Sequence, residues 1–451
     1  MKTAKAIKWT CATAGAALAL ALAYVVANSF DCEKPDVSHF KGDFSIPPEA
    51  DNVFLGLMAA TNVVSEKTGR PVLSSIFEDR HVHTMDWRNV SRDEADAKKR
   101  DEILSEAAKV IELFHEAVRR GKWCVVDPAS GKRNPTWGST GVRSLVELKA
   151  VRCLELGDVG AAIDCAEDLV LLARKMEEGA DSGTTWLLAD WPLRSALAVS
   201  KMVVAGGRAS DEELRRLLEV LRSFDLASRV ERMQQMVASD FTMFYETFYE
   251  PAQLLQDEIA NMLLSKNEGA WMLRFPLLSS YAYHPNRTWT VYAGLLERFM
   301  AHWRLGYDRE AWKKIDDEMD SMLDEGASWR FGPNFIGKEV LRTVVPAWSS
   351  IATSTLCSEF QSVATEVVVA AELFRRKTGA YPAALADLVP DFMPSVPADP
   401  FKPGSALNYD AVRGTIWTVG ASCDFDGVVD KKKEWRTRRD LEVRSYVVDL
   451  K

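Results

Sequence analysis

The stretch 418–430, TVGASCDFDGVVD, sets Asp424, Asp426 and Asp430 close together around Gly427, between two β-like segments. Alternating aspartate with glycine lets a tight loop aim several carboxylates inward, which suits a hard cation that takes about six to eight oxygen ligands. The same letters also spell a solvated turn. Both alternatives stand at the level of the residues themselves.

Other chemistry-bearing residues are sparse. The 6 histidines are His39, His81, His83, His115, His284 and His302. His81 and His83, in HVH, share one face of a strand, but zinc needs a third or fourth ligand and none lies near them in sequence. His115 stands beside Glu116 without the His-Glu-x-x-His spacing of a zinc protease. Asp240, Glu246, Glu250 and Glu258 fall among Phe and Tyr in SDFTMFYETFYEPAQLLQDE. Carboxylates beside aromatic rings are the equipment of glycoside hydrolysis. At helical spacing the same rings pack a core and the acids face water. The 14 tryptophans suit buried anchors between helices, since each removes a large apolar area from water. Neither a phosphate-binding glycine loop nor a Gly-x-Ser-x-Gly nucleophile turn is present.

The elements that must position these residues are mostly helical. With 451 residues and 47% hydrophobic side chains, the chain can bury large cores. A net charge of -9 speaks against nucleic acid as a partner; the basic run KKKEWRTRR is balanced by nearby acids. Lys2, Lys5 and Lys8 precede WTCATAGAALALALAYVVA, an uncharged run about the length of a bilayer-spanning helix. The lysines predict a cytoplasmic start and an outward-facing remainder, so residues 1–30 are expected to be a signal anchor, or a signal peptide cleaved after Ala27. Anchoring would be in the inner membrane, with the bulk of the chain extracytoplasmic. Export places Cys32, Cys124, Cys153, Cys165, Cys357 and Cys423 in an oxidising compartment, where disulfides are permitted. Cys153 and Cys165 flank the turn LGDVG and either bridge across it or stay as a reduced buried pair.

Periodicity predicts a helical domain over 31–345. Ile103, Ala107, Val110, Phe114 and Val118 form one apolar stripe, and Val159, Ile163, Ala166, Leu169, Val170 and Ala173 form another. Ser210 with Glu213 has capping-box spacing. Further helices are expected over 186–205, 227–265, 287–304, 308–324 and 349–377. The stretch 148–174 is similar to a tetratricopeptide-type helix pair, without the fixed period of a repeat array, so an irregular helical bundle or solenoid is expected. After Gly379 and Pro382 the prolines become too dense for helix. ALNYDAV, TIWTVG and LEVRSYVVDL then read as a small antiparallel sheet, giving an α+β unit over 346–451.

From Val367 to Gly427 the order of features resembles the globular domain of type II secretion major pseudopilins. The shared features are Leu373–Arg375, Gly379–Pro382, Leu385 and Leu388, Val396–Phe401, Tyr409 and the loop Gly420–Gly427. The family binds calcium in its last loop, so the resemblance implies a calcium site at Asp424, Asp426 and Asp430. The chain departs from the family's loop by a longer Gly420–Gly427 and by Val428 and Val429. It also lacks the family's Gly-Phe-x-x-x-Glu leader, so it is not expected to be a pilus subunit. More loosely, residues 100–430 resemble membrane-anchored helical proteins of Planctomycetes and Verrucomicrobia type, through HPNRTWTVYAGLL, NFIGKEVLRTVVPA and the same tail. That resemblance implies no activity.

The expected protein is therefore mainly α, with a small C-terminal pseudopilin-like α+β domain. It would be held to the membrane by its N-terminal helix and serve interaction or scaffolding with an envelope protein partner. Two alternatives accompany it: an extracytoplasmic hydrolase or glycan binder using Glu246 or Glu250 in an aromatic-lined cleft, and an accessory of a type II secretion-like system.

Overall fold

The computed structural model describes residues 19–27, 29–40, 46–78, 94–125, 139–249, 276–323, 333–344, 348–421 and 447–450. The chain is mainly helical, with a small three-stranded sheet near its C-terminus. By contact it divides into two compact units that interleave along the sequence: residues 1–42, 237–302 and 310–349 in one, and 43–236, 303–309 and 350–451 in the other.

In the larger unit, α1 (Val53–Thr61), α2 (Val72–Glu78), α3 (Glu94–Glu106) and α4 (Ala108–Val118) lead into a run of helices joined by short turns: α5 (Ser139–Leu156), α6 (Val159–Glu178), α7 (Gly183–Ala205) and α8 (Asp211–Arg222). The apolar stripes dictate this packing. Ile103, Ala107, Val110, Phe114 and Val118 are all buried, as are Val159, Ile163, Ala166, Leu169, Val170 and Ala173. The stripe over 101–120 belongs to two helices, because Ala107 leaves the helical conformation between α3 and α4. Between α5 and α6, Gly157 takes a φ of 82° that other residues resist, and Asp158 caps α6 by accepting from Ala161 N at 3.0 Å. Ser210 and Glu213 form both arms of the capping box on α8.

α9 (Arg229–Phe248) brings two arginines into this unit. Arg229 Nε and Nη2 donate to Glu177 Oε1 at 2.9 and 2.6 Å, Arg232 Nε donates to Glu177 Oε2 at 3.1 Å, and Arg229 Nη1 donates to Thr355 O at 2.9 Å. Burial pushes the Glu177 carboxyl up, and the two guanidinium groups oppose that rise. For Arg229, burial disfavours the charge, but Glu177, Asp190 and Glu359 outweigh it and the guanidinium holds its proton more tightly.

In the smaller unit the 237–248 part of α9 faces α11 (Pro285–Leu305) through an aromatic stack. Phe241 lies 4.5 Å from Phe40 and 5.6 Å from Tyr292, ring centre to ring centre, and the Tyr292 hydroxyl donates to Asp240 Oδ2 at 2.8 Å. Asp31 caps α11 from far away in sequence, accepting from Asn286 N at 2.7 Å and Arg287 N at 3.0 Å. α10 (Pro276–Ala282) precedes it, and α12 (Arg309–Leu323) and α13 (Phe335–Val344) complete the unit. The segments HPNRTWTVY and NFIGKEVL meet here. Asn334, at φ 59°, accepts from His284 N at 2.7 Å, and a Cβ on Gly337 would stand 2.1 Å from Thr288 Oγ1.

α14 (Trp348–Thr378) ends at Gly379, φ 86°, and its 360–373 face joins the hydrophobic core of the larger unit. The sheet runs β1 (Asn408–Asp410), β2 (Thr415–Trp417), β3 (Val447–Asp449), antiparallel throughout, with Ile416 opposite both Tyr409 and Val448. The helix expected over 349–377 and strands within ALNYDAV and TIWTVG therefore form where the sequence places them, and of LEVRSYVVDL the described end carries β3.

Arg229→Met should destabilise the chain by about 3–5 kcal/mol in denaturant titration, since it leaves Glu177 Oε1 buried without its cation and only Arg232 on the other oxygen. Gly337→Ala should lower stability by about 1–3 kcal/mol through overpacking against Thr288 and Asn334, read as a reduced denaturation midpoint with an unchanged slope.

Candidate functional site

α3, α4 and α5 enclose a cleft of about 680 Å³ in the larger unit. Leu104, Ala108, Ile111, Cys153 and Leu156 give it an apolar lining, and Leu156 is 68% exposed. Charged side chains stand around it. Arg152 grips Asp101 with two bonds of 2.7 Å and reaches Glu155 at 3.1 Å. The bond to Arg152 holds the Asp101 carboxyl below its usual range, and the reciprocal bond raises Arg152. Glu112 pairs with Lys109 at 3.0 Å.

His115 reaches the cleft because it follows Phe114, whose side chain is fully buried; the next position round the helix sits at the edge of the apolar stripe. Its Nδ1 bonds Asp168 Oδ2, a carboxylate with no solvent exposure on the core side of α6. An ionised carboxylate only accepts, so a ring proton belongs on Nδ1, and Nε2, faced by a lysine ammonium that can only donate, is the acceptor. Lys149 Nζ on α5 stands 3.0 Å from that Nε2 and donates to it. Arg119 Nη1 lies 2.8 Å from Asp168 Oδ1 without a hydrogen-bonding angle and donates to His115 O at 2.8 Å.

An aspartate behind an imidazole is half of an acid–base relay. Here the group on the far side is an ammonium that already fills the imidazole lone pair, not a hydroxyl or thiol waiting to lose a proton. The cleft's own thiol is no substitute: burial, reinforced by Asp158, raises Cys153, and burial pushes Cys165 to about 12. Neither is an activated nucleophile. The arrangement instead presents a fixed cation beside an apolar floor, which suits recognition.

Sequence-level candidates are distributed differently. Asp424, Asp426 and Asp430 lie outside the described residues, as do His81, His83, Glu250 and Glu258. The residues just before the stretch 422–430 are described: buried Asp399 accepts from Phe401 N at 2.9 Å, Val419 N at 3.0 Å and the Thr418 hydroxyl. Among the described residues no three His, Cys, Asp or Glu side chains are grouped to hold a metal. Asp240 is buried against Tyr292, whereas Glu246 on the same helix is exposed, so the structure does not bring those carboxylates together. Trp186, Trp289 and Trp348 are buried anchors. His115 partners Asp168 and Lys149, not its neighbour Glu116, because adjacent helical residues point apart. Cys32, Cys124, Cys153, Cys165 and Cys357 are free thiols, so Cys153 and Cys165 form no bridge. Residues 19–27 are helical, with Leu20, Leu22, Tyr24 and Val26 exposed. Among the described residues no helix is long and apolar enough to cross a membrane, and residues 1–18, with the three lysines, lie outside them.

No protein-family model, curated protein or solved structure matches the chain. The site chemistry has its own check. At pH 8, iodoacetamide should modify exposed Cys32 well before Cys153, and Cys165 should stay unmodified in the native chain until pH approaches its raised value of about 12; peptide mapping by mass spectrometry reads the order.

Proposed function

We propose that this chain is a membrane-anchored envelope protein that binds a protein partner through the cleft between α3, α4 and α5. The observation that carries this reading is the cleft's composition: an apolar floor with Leu156 standing out of it, bordered by charged side chains of which Asp101 and Arg152 are held in an ion pair. Protein–protein contacts have that anatomy, a dehydrated apolar centre and a polar rim. The anchor is supported by Lys2, Lys5 and Lys8 before the apolar run, and by the exposed apolar side chains over 19–27, which a bilayer would cover.

The C-terminal residues, in this proposal, form a pseudopilin-like domain serving the same docking role. Two contacts favour it. Tyr409 Oη donates to Pro382 O at 2.7 Å, tying the Gly-x-Tyr-Pro step to the tyrosine-bearing strand, and Asp399 of the Asp-Pro step closes the root of the last loop.

A photo-crosslinking residue at Leu156 in intact cells should give a discrete adduct that one at exposed Glu212 does not, and Leu104→Asp should reduce it. No adduct from Leu156, or the same adducts from both positions, would reject the cleft as the docking site. Fractionation of the same cells should place the chain with membranes, and its recovery with cytosolic proteins would reject the anchor.

A further inference from the structure

The cleft has an electrically distinct end. Of the cations that line it, Arg152 is neutralised by Asp101 and Glu155, and Arg119 stands against Asp168. Lys149 differs, because its ammonium bonds the neutral imidazole of His115 at 3.0 Å and no carboxylate among the described residues pairs with it. A neutral acceptor fixes the position of a cation without cancelling its charge. Glu116 also lines the cleft, but it is exposed to water, where its field is screened; Lys149 is half-buried and its field is screened less.

We propose that Lys149 receives the C-terminal carboxylate of an apolar peptide whose last side chains lie on the floor formed by Leu104, Ile111 and Leu156. This inference names the partner chemistry for the docking function proposed above and rests on it. The ammonium has N–H donors beyond the one given to His115, so it can meet a carboxylate while the His115–Asp168 support stays in place. Charge-assisted bonds of that kind strengthen in a half-buried setting. A peptide suits the cleft better than an acyl chain, because its backbone can satisfy the polar rim that a hydrocarbon would leave dehydrated. The volume of about 680 Å³ is in the range of a few residues. Asp168 is a positioning residue: without solvent exposure itself, it fixes the His115 ring, which in turn holds the lysine.

The probe is an equimolar pool of N-terminally fluoresceinated tetrapeptides ending in Leu, Ile, Val or Phe, prepared as free acids and as C-terminal amides, with anisotropy measured on the full chain. The acid pool should bind about tenfold or more tighter than the amide pool. Lys149→Met should bring the two within about twofold, and Lys149→Arg should keep the preference; circular dichroism of each variant checks the fold. If Lys149→Met does not fold, the acid-to-amide ratio on the unaltered chain decides. Equal binding of acid and amide overturns the carboxylate site while leaving the cleft a docking surface. Failure of both pools to bind overturns it too, and so does octanoate binding without peptide binding, which would assign the cleft to a lipid acid. The Leu156 crosslink stands or falls independently of all three results.

Discussion

Glu177 is a fully buried carboxylate near the end of α6, and the larger unit is organised around satisfying it. Taking such a charge out of water costs several kcal/mol unless cations and hydrogen bonds replace the solvent. Arg229 and Arg232 of α9 supply both. Arg229 then continues through Thr355 O to α14, where the Thr355 hydroxyl accepts from Trp186 Nε1 of α7 at 2.9 Å. Segments far apart in the chain are thus joined by directional bonds at one point. Apolar packing alone tolerates many registers of helix against helix; a buried ion cluster with filled acceptors permits few.

The same helix carries the second buried acid. Asp168 precedes Glu177 by 9 residues, about half a turn out of phase, so the two carboxylates leave α6 on opposite sides. One looks toward α9 and α14, the other toward α4 and α5. Asp168 solves its dehydration with His115 and Arg119, and the consequence is a cleft in which His115 has a fixed tautomer and Lys149 a fixed place. A stability requirement and a recognition surface therefore share one element.

Polar groups also organise the smaller features. Asp399 receives two backbone N–H groups and a hydroxyl, which fixes the Thr418–Val419 backbone just after β2. Asn334 and Gly337 make a close approach to Thr288 possible, one through a positive φ and the other by lacking a Cβ. The segments HPNRTWTVY and NFIGKEVL thus form two sides of one contact.

What the sequence determined by itself is the local structure. The 3.6-residue stripes at Ile103–Val118 and Val159–Ala173, the Ser210–Glu213 cap, the stop at Gly379 and the alternating C-terminal strands depend on neighbours within a few residues, and they appear where those neighbours place them. Their limits are local too: the stripe continues smoothly through Ala107, although the backbone there breaks into two helices. Asp240 and Glu246 look like a pair on paper, yet one points into the aromatic core and the other into water. Only the tertiary structure could join His115, Asp168 and Lys149, since they come from three helices and each looks ordinary alone. The one legible hint was an aspartate amid the apolar residues of α6, a charge that had to find a partner. Periodicity is set by backbone geometry over a single turn, whereas the partner of a buried charge is chosen by how whole helices pack.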